Sequence, residues 1–138
     1  MSESAFQVRP VGWVESPLTD RADAPKQGDE GAPLARVVFR PELWEAAADL
    51  RAGDEILVFT WLHQGDRDTL SVHPRDDATQ PLQGVFSTRS SDRPNPIGLH
   101  RVTIVSVAEN VISVRNLEAI NGTPVIDVKP VLGAAHER

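Results

Sequence analysis

A proline-stiffened stretch at residues 88–98 holds the densest set of side chains that could bind a polar ligand. It carries Arg89, Arg93 and Asn95, and the prolines beside them fix the backbone φ. Guanidinium and amide groups held in this way form a preorganised set of hydrogen-bond donors, which suits a carboxylate or another anion. From these residues alone, a packed crossover loop whose arginines pair with carboxylates is an equally good explanation.

A second stretch, residues 118–130, combines a turn signal with two charged side chains. Asn121 and Gly122 predict a tight turn, because both residue types tolerate the positive φ that such turns demand. Asp127 and Lys129 then alternate, which places both on one face of a strand. Taken by itself, the stretch is better explained as a hairpin followed by an edge strand with a solvated face.

The signatures of several common sites are missing. No GxGxxG motif follows a predicted strand, which disfavours a Rossmann dinucleotide or methyltransferase site, and the chain has neither a P-loop nor a GxSxG elbow. The absence of cysteine excludes a thiolate nucleophile and any cysteine-ligated metal. No metal site is expected from the histidines, since none of them shows HxH or HExxH spacing: His63, His73, His100 and His136.

The charge balance argues against bulk electrostatic docking on nucleic acid. The formal net charge is -6, whereas proteins that bind a phosphate backbone in this way are usually basic. A nucleic-acid substrate would need a local basic patch, and the region Arg89–Arg101 is the candidate. Composition alone therefore favours a small-molecule ligand.

Length and composition predict a single domain, residues 1–138, that is mostly β. Eleven prolines and nine glycines in 138 residues favour short strands joined by turns. One short helix is predicted at Glu42–Arg51, opened by Pro41, with Leu43, Ala46, Ala47 and Leu50 on one face. Seven strands are predicted, at Phe6–Val14, Ala35–Arg40, Asp54–His63, Thr69–His73, Leu99–Val107, Val111–Leu117 and Val125–Val131.

These elements show no βαβ alternation, so the expected fold is a small antiparallel β-barrel with one short helix and long loops. The apolar run in Asp54–His63 predicts a strand buried on both sides. The residues between Glu15 and Pro33 predict a long, functional or disordered loop. No apolar run reaches the roughly 20 residues of a membrane span, and the first residues do not resemble a signal peptide, so a cytoplasmic protein is expected.

The two proline-rich stretches together resemble a known family. Residues 89–99 read Arg-x-x-x-Arg-Pro-Asn-Pro-Ile-Gly-Leu, and residues 121–130 read Asn-Gly-Thr-Pro-Val-Ile-Asp-Val-Lys-Pro. This pair resembles the signature of the TrmO/YaeB family, and shorter pieces at 11–17, 25–28 and 59–63 resemble its opening, a loop motif and its central strand. That family comprises S-adenosylmethionine-dependent tRNA methyltransferases with a β-barrel rather than a Rossmann fold.

The resemblance implies a homodimer that binds S-adenosylmethionine near the subunit interface. It also implies methylation of the exocyclic amino group of a threonylcarbamoylated adenosine beside the tRNA anticodon. Carried over residue by residue, it implies a cofactor site made of Pro25, Lys26, Gln27, His63, Gln64, Arg89, Leu99, Glu118, Ala119, Ile120, Asn121 and Gly122.

For catalysis, we expect mainly positioning, with an acceptor for the proton of the adenine amino group. Asp127 is the candidate acceptor, oriented by Lys129, with Asn95 as a second contact and Arg93 as a substrate-binding residue. Two alternatives stay open at this point. One is a cofactor-dependent enzyme that acts on a substrate other than tRNA, as the acidic composition favours. The other is a non-catalytic sensing or interaction module, suggested by Asn121 standing where the family usually has aspartate.

Overall fold

The computed structural model describes residues 4–19 and 34–133. Three 3₁₀ helices lie within these ranges, at Pro41–Ala47, Pro74–Asp76 and Val85–Ser87. The strands within them are β1 (Gly12–Glu15), β2 (Ala35–Phe39), β3 (Glu55–Trp61), β4 (Ser71–Val72), β5 (Gln83–Gly84), β6 (Ile97–Ala108), β7 (Val111–Arg115) and β8 (Pro124–Pro130).

Six of these strands close into one antiparallel barrel. Their order is β1-β2-β7-β6-β3-β8, and β8 pairs back onto β1, so the barrel leaves no unpaired edge. The other two strands, β4 and β5, form a separate antiparallel hairpin in the long excursion between β3 and β6. The predicted small antiparallel β-barrel is therefore confirmed.

The barrel interior is one apolar core built by strict alternation along the strands. On β2, Ala35, Val37 and Phe39 are buried, and on β7 Ile112 and Val114 are buried, while their neighbours face outward. A period of two is what allows each strand to cover the core with one face and meet solvent with the other. Five of the seven predicted strands, those that correspond to β2, β3, β6, β7 and β8, match the observed bounds to within two residues.

The central strand β3 is buried on one side only, which corrects the prediction of two-sided burial. Ile56 and Val58 face the core, whereas Leu57 and Phe59 on the outer face are half-buried. A continuous apolar run does not distinguish two-sided burial from a strand whose outer face is partly covered by its neighbours. The outer face of β3 is therefore available for contacts outside the barrel.

The predicted helix is a 3₁₀ helix at Pro41–Ala47, and its predicted apolar face is half right. Ala47 is buried and Leu50 packs against the core, as predicted, whereas Leu43 is 38% exposed and Ala46 is exposed. Because a 3₁₀ helix has three residues per turn, positions three apart share a face, so Trp44 points inward together with Ala47. The periodicity of 3.6 assumed in the prediction omits Trp44.

Two predicted strands are shorter in the structure. The first begins at Gly12 rather than Phe6, whose side chain is 90% exposed. Pro10 cannot donate a ladder hydrogen bond, and backbone pairing starts at Val11, whose N–H donates to the Val125 carbonyl at 2.7 Å. The strand predicted at Thr69–His73 is reduced to the two residues of β4.

Candidate functional site

The two proline-rich stretches meet at the end of the barrel where β3 finishes. Trp61, the last residue of β3, pairs with Ile97 at the start of β6, and Thr60 pairs with Val125 near the start of β8. The residues 88–98 lead into β6, and residues 118–123 lead into β8. The two stretches therefore lead into the two strands that flank β3, and β3 lies between them.

Arg93 holds the first stretch in shape. Its guanidinium donates to three backbone carbonyls of its own loop, those of Val85 (2.8 Å), Thr88 (2.9 Å) and Ser90 (2.9 Å). Arginine suits this task because its donors form a rigid planar fork. The structure thus gives Arg93 a role in the fold of the loop, and its predicted contact with a substrate stays a prediction.

A second arginine, Arg67, fastens the same loop to the segment that follows β3. Its Nε donates to the Pro94 carbonyl at 2.7 Å, one terminal nitrogen donates to Asn95 Oδ1 at 3.0 Å, and its guanidinium lies 5.3 Å from the Trp61 ring centroid. Asn95, predicted as a second catalytic contact, therefore has its side-chain oxygen engaged by Arg67. The sequence argument did not select Arg67.

The turn at residues 120–123 is fixed by the chain that follows β1. Asn121 accepts a hydrogen bond from the Ser16 N–H at its Oδ1 (3.1 Å), and its own N–H donates to the Leu18 carbonyl at 2.6 Å. Of the two turn residues only Gly122 has a positive φ, +85°. Ala119 and Ile120 are buried, so what they could offer a ligand is backbone rather than side chain.

Arg89 and Leu99 lie together on the outer face of the barrel. The Arg89 guanidinium is exposed, and among the described residues its one hydrogen bond is a long one, 3.5 Å, to the Leu99 carbonyl. Leu99 is 36% exposed and pairs with Phe59 of β3. An exposed cation beside apolar side chains can receive a carboxylate whose neighbouring groups are apolar.

Asp127 and Lys129 are exposed on the same outer face, as their alternation predicts. Asp127 pairs with Phe59, which in turn pairs with Leu99, so these three residues form a row across three strands. Two strand spacings separate Asp127 from Leu99, about 10 Å. Within the described ranges Asp127 makes no ion pair with Lys129 or Arg93, and its Oδ1 accepts from the Val128 N–H at 2.9 Å. Its catalytic role stays a prediction.

Of the remaining predicted cofactor residues, three lie outside the described ranges and two lie just after β3. Pro25, Lys26 and Gln27 lie outside the described residues. His63 and Gln64 follow β3 directly and are exposed at its end, where the two proline-rich stretches meet.

Below this end of the barrel lies a chain of hydrogen bonds between polar side chains, of which sequence reasoning selected only Glu118. Thr60 Oγ1 lies 2.7 Å from His100 Nε2, and His100 Nδ1 lies 2.6 Å from Glu118 Oε1. Thr60 and His100 are buried in the barrel. Buried and exposed residues alternate along β6, and this alternation places Gly98 and His100 on the inner face together, beside β3. The pattern could therefore have indicated that His100 lies inside the barrel.

The outer face also carries a surface ion pair next to the row that contains Asp127. Arg101 of β6 donates two hydrogen bonds to the Glu55 carboxylate, at 3.0 and 3.1 Å. The hydrogen bonds and charge of Arg101 lower the pKa of Glu55, and the same contacts raise the pKa of Arg101. Arg101 is therefore already paired, whereas Arg89 is the less engaged cation beside Leu99.

The described part of the chain shows neither an arrangement for a metal ion nor a helix that could span a membrane. No group of three or more histidine, aspartate or glutamate side chains there is arranged to hold a metal ion. No helix there is long and apolar enough to cross a membrane.

The geometry defines the class of the domain: a closed, six-stranded antiparallel barrel, with polar segments gathered at one end and no βαβ unit in the described residues. Residues 13–136 match the family described as the tRNA-methyltransferase O N-terminal domain. The chain belongs to this family, which confirms the resemblance drawn from its two motifs.

Relatives and solved structures agree with this assignment. A probable S-adenosyl-L-methionine-binding protein of Methanothermobacter thermautotrophicus is 42% identical over 94% of this chain and 93% of its own length. An S-adenosyl-L-methionine-binding protein of Archaeoglobus fulgidus is 38% identical over 88% of this chain and 86% of its own. These names agree with the cofactor that the sequence predicts.

The barrel also superposes on the crystal structure of TrmO from Pseudomonas aeruginosa, with a TM-score of 0.75 over 96% of this chain. The sequence identity is 23%, so this likeness concerns the fold. The chain spans only 59% of the length of that structure.

Proposed function

We propose that this protein is an S-adenosylmethionine-dependent methyltransferase whose site lies at the carboxyl end of β3. The observation that supports it best is the meeting of the two family motifs there, with Arg89 beside the exposed Leu99 and with Glu118 held by His100. These groups suit a ligand with a carboxylate, an ammonium and an adenine ring. The relatives named as binding S-adenosylmethionine support the same cofactor.

Each ligand group has a matching residue in this proposal. The exposed Arg89 guanidinium holds the carboxylate, Leu99 and Phe59 form apolar walls, and Glu118 accepts from a donor group of the cofactor. S-adenosylmethionine supplies an electrophilic methyl group on a sulfonium. A new bond from that carbon to the acceptor nitrogen forms as the carbon–sulfur bond breaks, and the sulfur keeps the electron pair. Asp127 takes the proton that the nitrogen loses.

The proposed acceptor is the exocyclic amino group of a threonylcarbamoylated adenosine next to the anticodon of tRNA. The family description supports a tRNA substrate. Arg67, Arg89 and Lys129 are exposed around the barrel end and outer face, and they supply local positive charge despite the net charge of -6. The same net charge favours the second candidate, a methyltransferase that acts on a substrate other than tRNA.

A labelling experiment separates these candidates. The protein is incubated with methyl-labelled S-adenosylmethionine and with tRNA that either carries or lacks the threonylcarbamoyl group. We expect label only in the modified tRNA, in a form that ribonuclease digests to a methylated nucleoside. A ribonuclease-resistant product from cell extract would support the second candidate. Cofactor binding without any labelled product would instead indicate a sensing module.

The proposed cofactor site also predicts the effect of one substitution. Arg89→Ala removes the cation that meets the cofactor carboxylate, so the Kd for S-adenosylhomocysteine should rise at least about tenfold, the usual worth of a charge-assisted hydrogen bond. Isothermal titration calorimetry measures this. Arg36→Ala is the matched control, because Arg36 is an exposed arginine on β2, paired with Glu15 at 3.0 Å, and should leave the Kd unchanged. Equal affinities for both variants would contradict the placement of the site.

The protein acts as a homodimer in this proposal. An apolar band runs along the outer face of β3 and β6, where Ile97 is 45% and Leu99 36% exposed beside the half-buried Phe59 and Trp61. Leu99 and Phe59 of this band are also the proposed walls of the cofactor site, so a second copy packed against Ile97 and Trp61 would border that site.

A further inference from the structure

We propose that Thr60 and His100 are positioning residues that fix the Glu118 carboxylate for contact with the methyl donor. This inference rests on the proposed function. It adds two residues from inside the barrel, neither of which belongs to the predicted cofactor set.

The first support is the geometry of the hydrogen bonds that link Thr60, His100 and Glu118. A carboxylate accepts hydrogen bonds, so His100 Nδ1 donates to Glu118 Oε1 over 2.6 Å. In the neutral imidazole the other nitrogen, Nε2, accepts from the Thr60 hydroxyl over 2.7 Å. Both ring nitrogens are thereby used, and the imidazole is held in one tautomer and one orientation.

The second support is the difference in burial among these three hydrogen-bonded side chains. Thr60 and His100 are buried, whereas the Glu118 side chain retains 16% exposure. In the described part of the molecule every buried side-chain oxygen and nitrogen has a hydrogen-bond partner. The second Glu118 oxygen has no donor there, so it is not buried. It reaches the surface at the segment that leads into the turn at residues 120–123.

The third support is Gly98, the last residue of the Arg-Pro-Asn-Pro-Ile-Gly motif. A Cβ at this position would collide with Thr60 Oγ1 and would lie 2.8 Å from His100 Nε2. Glycine leaves the space in which the threonine and the histidine meet. The motif therefore shapes a contact inside the barrel through Gly98, as well as the fold of the loop.

The arrangement fits a positioning role rather than direct chemistry. The Thr60 hydroxyl is wholly buried, so it is not accessible as a nucleophile toward an external substrate. One oxygen of Glu118 is committed to His100, which leaves one oxygen, with a fixed direction, to accept from an ammonium or hydroxyl group of the cofactor. A fixed carboxylate loses less conformational freedom when the ligand binds.

The test measures binding of S-adenosylhomocysteine by isothermal titration calorimetry to the full chain. Thr60→Val removes the hydroxyl while keeping the shape of the side chain, and we expect an affinity about fivefold weaker, as for the loss of one neutral hydrogen bond. Thr60→Ser should restore the affinity, because it returns the hydroxyl. Val102→Ala is the control for stability, since Val102 is the next buried side chain on β6 and contributes no polar atom to the chain. It should lower the melting temperature without changing the affinity.

Nuclear magnetic resonance of the His100 ring nitrogens in the wild-type protein gives a readout that a merely structural role would not move. We expect the Nδ1-protonated tautomer, with a shift of the Nδ1 resonance when S-adenosylhomocysteine is added. Normal wild-type binding with no such shift, or with an unchanged affinity in Thr60→Val, would overturn this inference alone. No binding by the wild-type protein would overturn the proposed function and this inference with it.

Discussion

At the scale of single residues, the close approach at Gly98 is a steric requirement of the proposed site. Gly98→Ala would force a methyl group into the contact between Thr60 and His100, and overpacking of this kind costs about 1–3 kcal/mol of unfolding free energy. Urea denaturation monitored by tryptophan fluorescence measures it. Gly84→Ala is the matched control, because its Cβ would meet nothing closer than 4.0 Å. Similar losses for both variants would contradict the steric argument.

At this scale, the residues predicted from the sequence include exposed members of the proposed site but not its buried members, Thr60 and His100. Glu118 and Arg89 lie in motifs whose residue types indicate binding. His100 shows no ligand spacing with the other histidines, and Thr60 lies within an apolar run. Their contact depends on the register between β3 and β6, where Thr60 pairs with Gly98. Register between strands distant in sequence follows from packing, which a single sequence does not reveal.

At the scale of elements, the Arg93 guanidinium holds the loop at 88–98 from within. Arg93→Ala removes the donor to the Thr88 and Ser90 carbonyls, whereas the Val85 carbonyl keeps its bonds from Thr88, so we expect a loss of about 2–3 kcal/mol, mostly as local opening. Hydrogen–deuterium exchange should speed up in residues 85–96 and stay unchanged in β2 and β7. Arg93→Lys should behave almost like Arg93→Ala, because one ammonium cannot reproduce the planar fork. Wild-type exchange rates in the loop of either variant would refute this role.

The elements of the barrel were largely predictable, and the excursion between β3 and β6 was not. The barrel strands other than β1 run for five or more residues that are rich in β-branched and other apolar side chains, which is a strong signal. The hairpin of β4 and β5 has two residues in each strand, too few for a periodic pattern of apolar residues to be recognised. The 3₁₀ helix at Pro41–Ala47 carries apolar residues that also fit an α-helical face, so the pattern alone selected the wrong period.

At the scale of the whole molecule, closure of the barrel pairs the backbone hydrogen-bonding groups of its edge strands but leaves the apolar band on β3 and β6 exposed. A closed barrel has no free strand edge, so a partner that binds the barrel contacts its side chains rather than adding a strand to it. The band lies beside Arg89, whereas the other end of β6 carries no predicted site residue. Association through this band would therefore place a second copy at the cofactor site.

This arrangement predicts that dimerisation and cofactor binding are lost together. Ile97→Glu puts a charge into the centre of the proposed contact, where burial of an unpaired carboxylate is costly, so the variant should sediment as a monomer. Its affinity for S-adenosylhomocysteine should fall as well. Val107→Glu is the matched control, since Val107 is 38% exposed near the opposite end of the same strand and should leave both the dimer and the affinity intact. A wild-type protein that sediments as a monomer, or an Ile97→Glu variant that stays dimeric, would show that the band has another role.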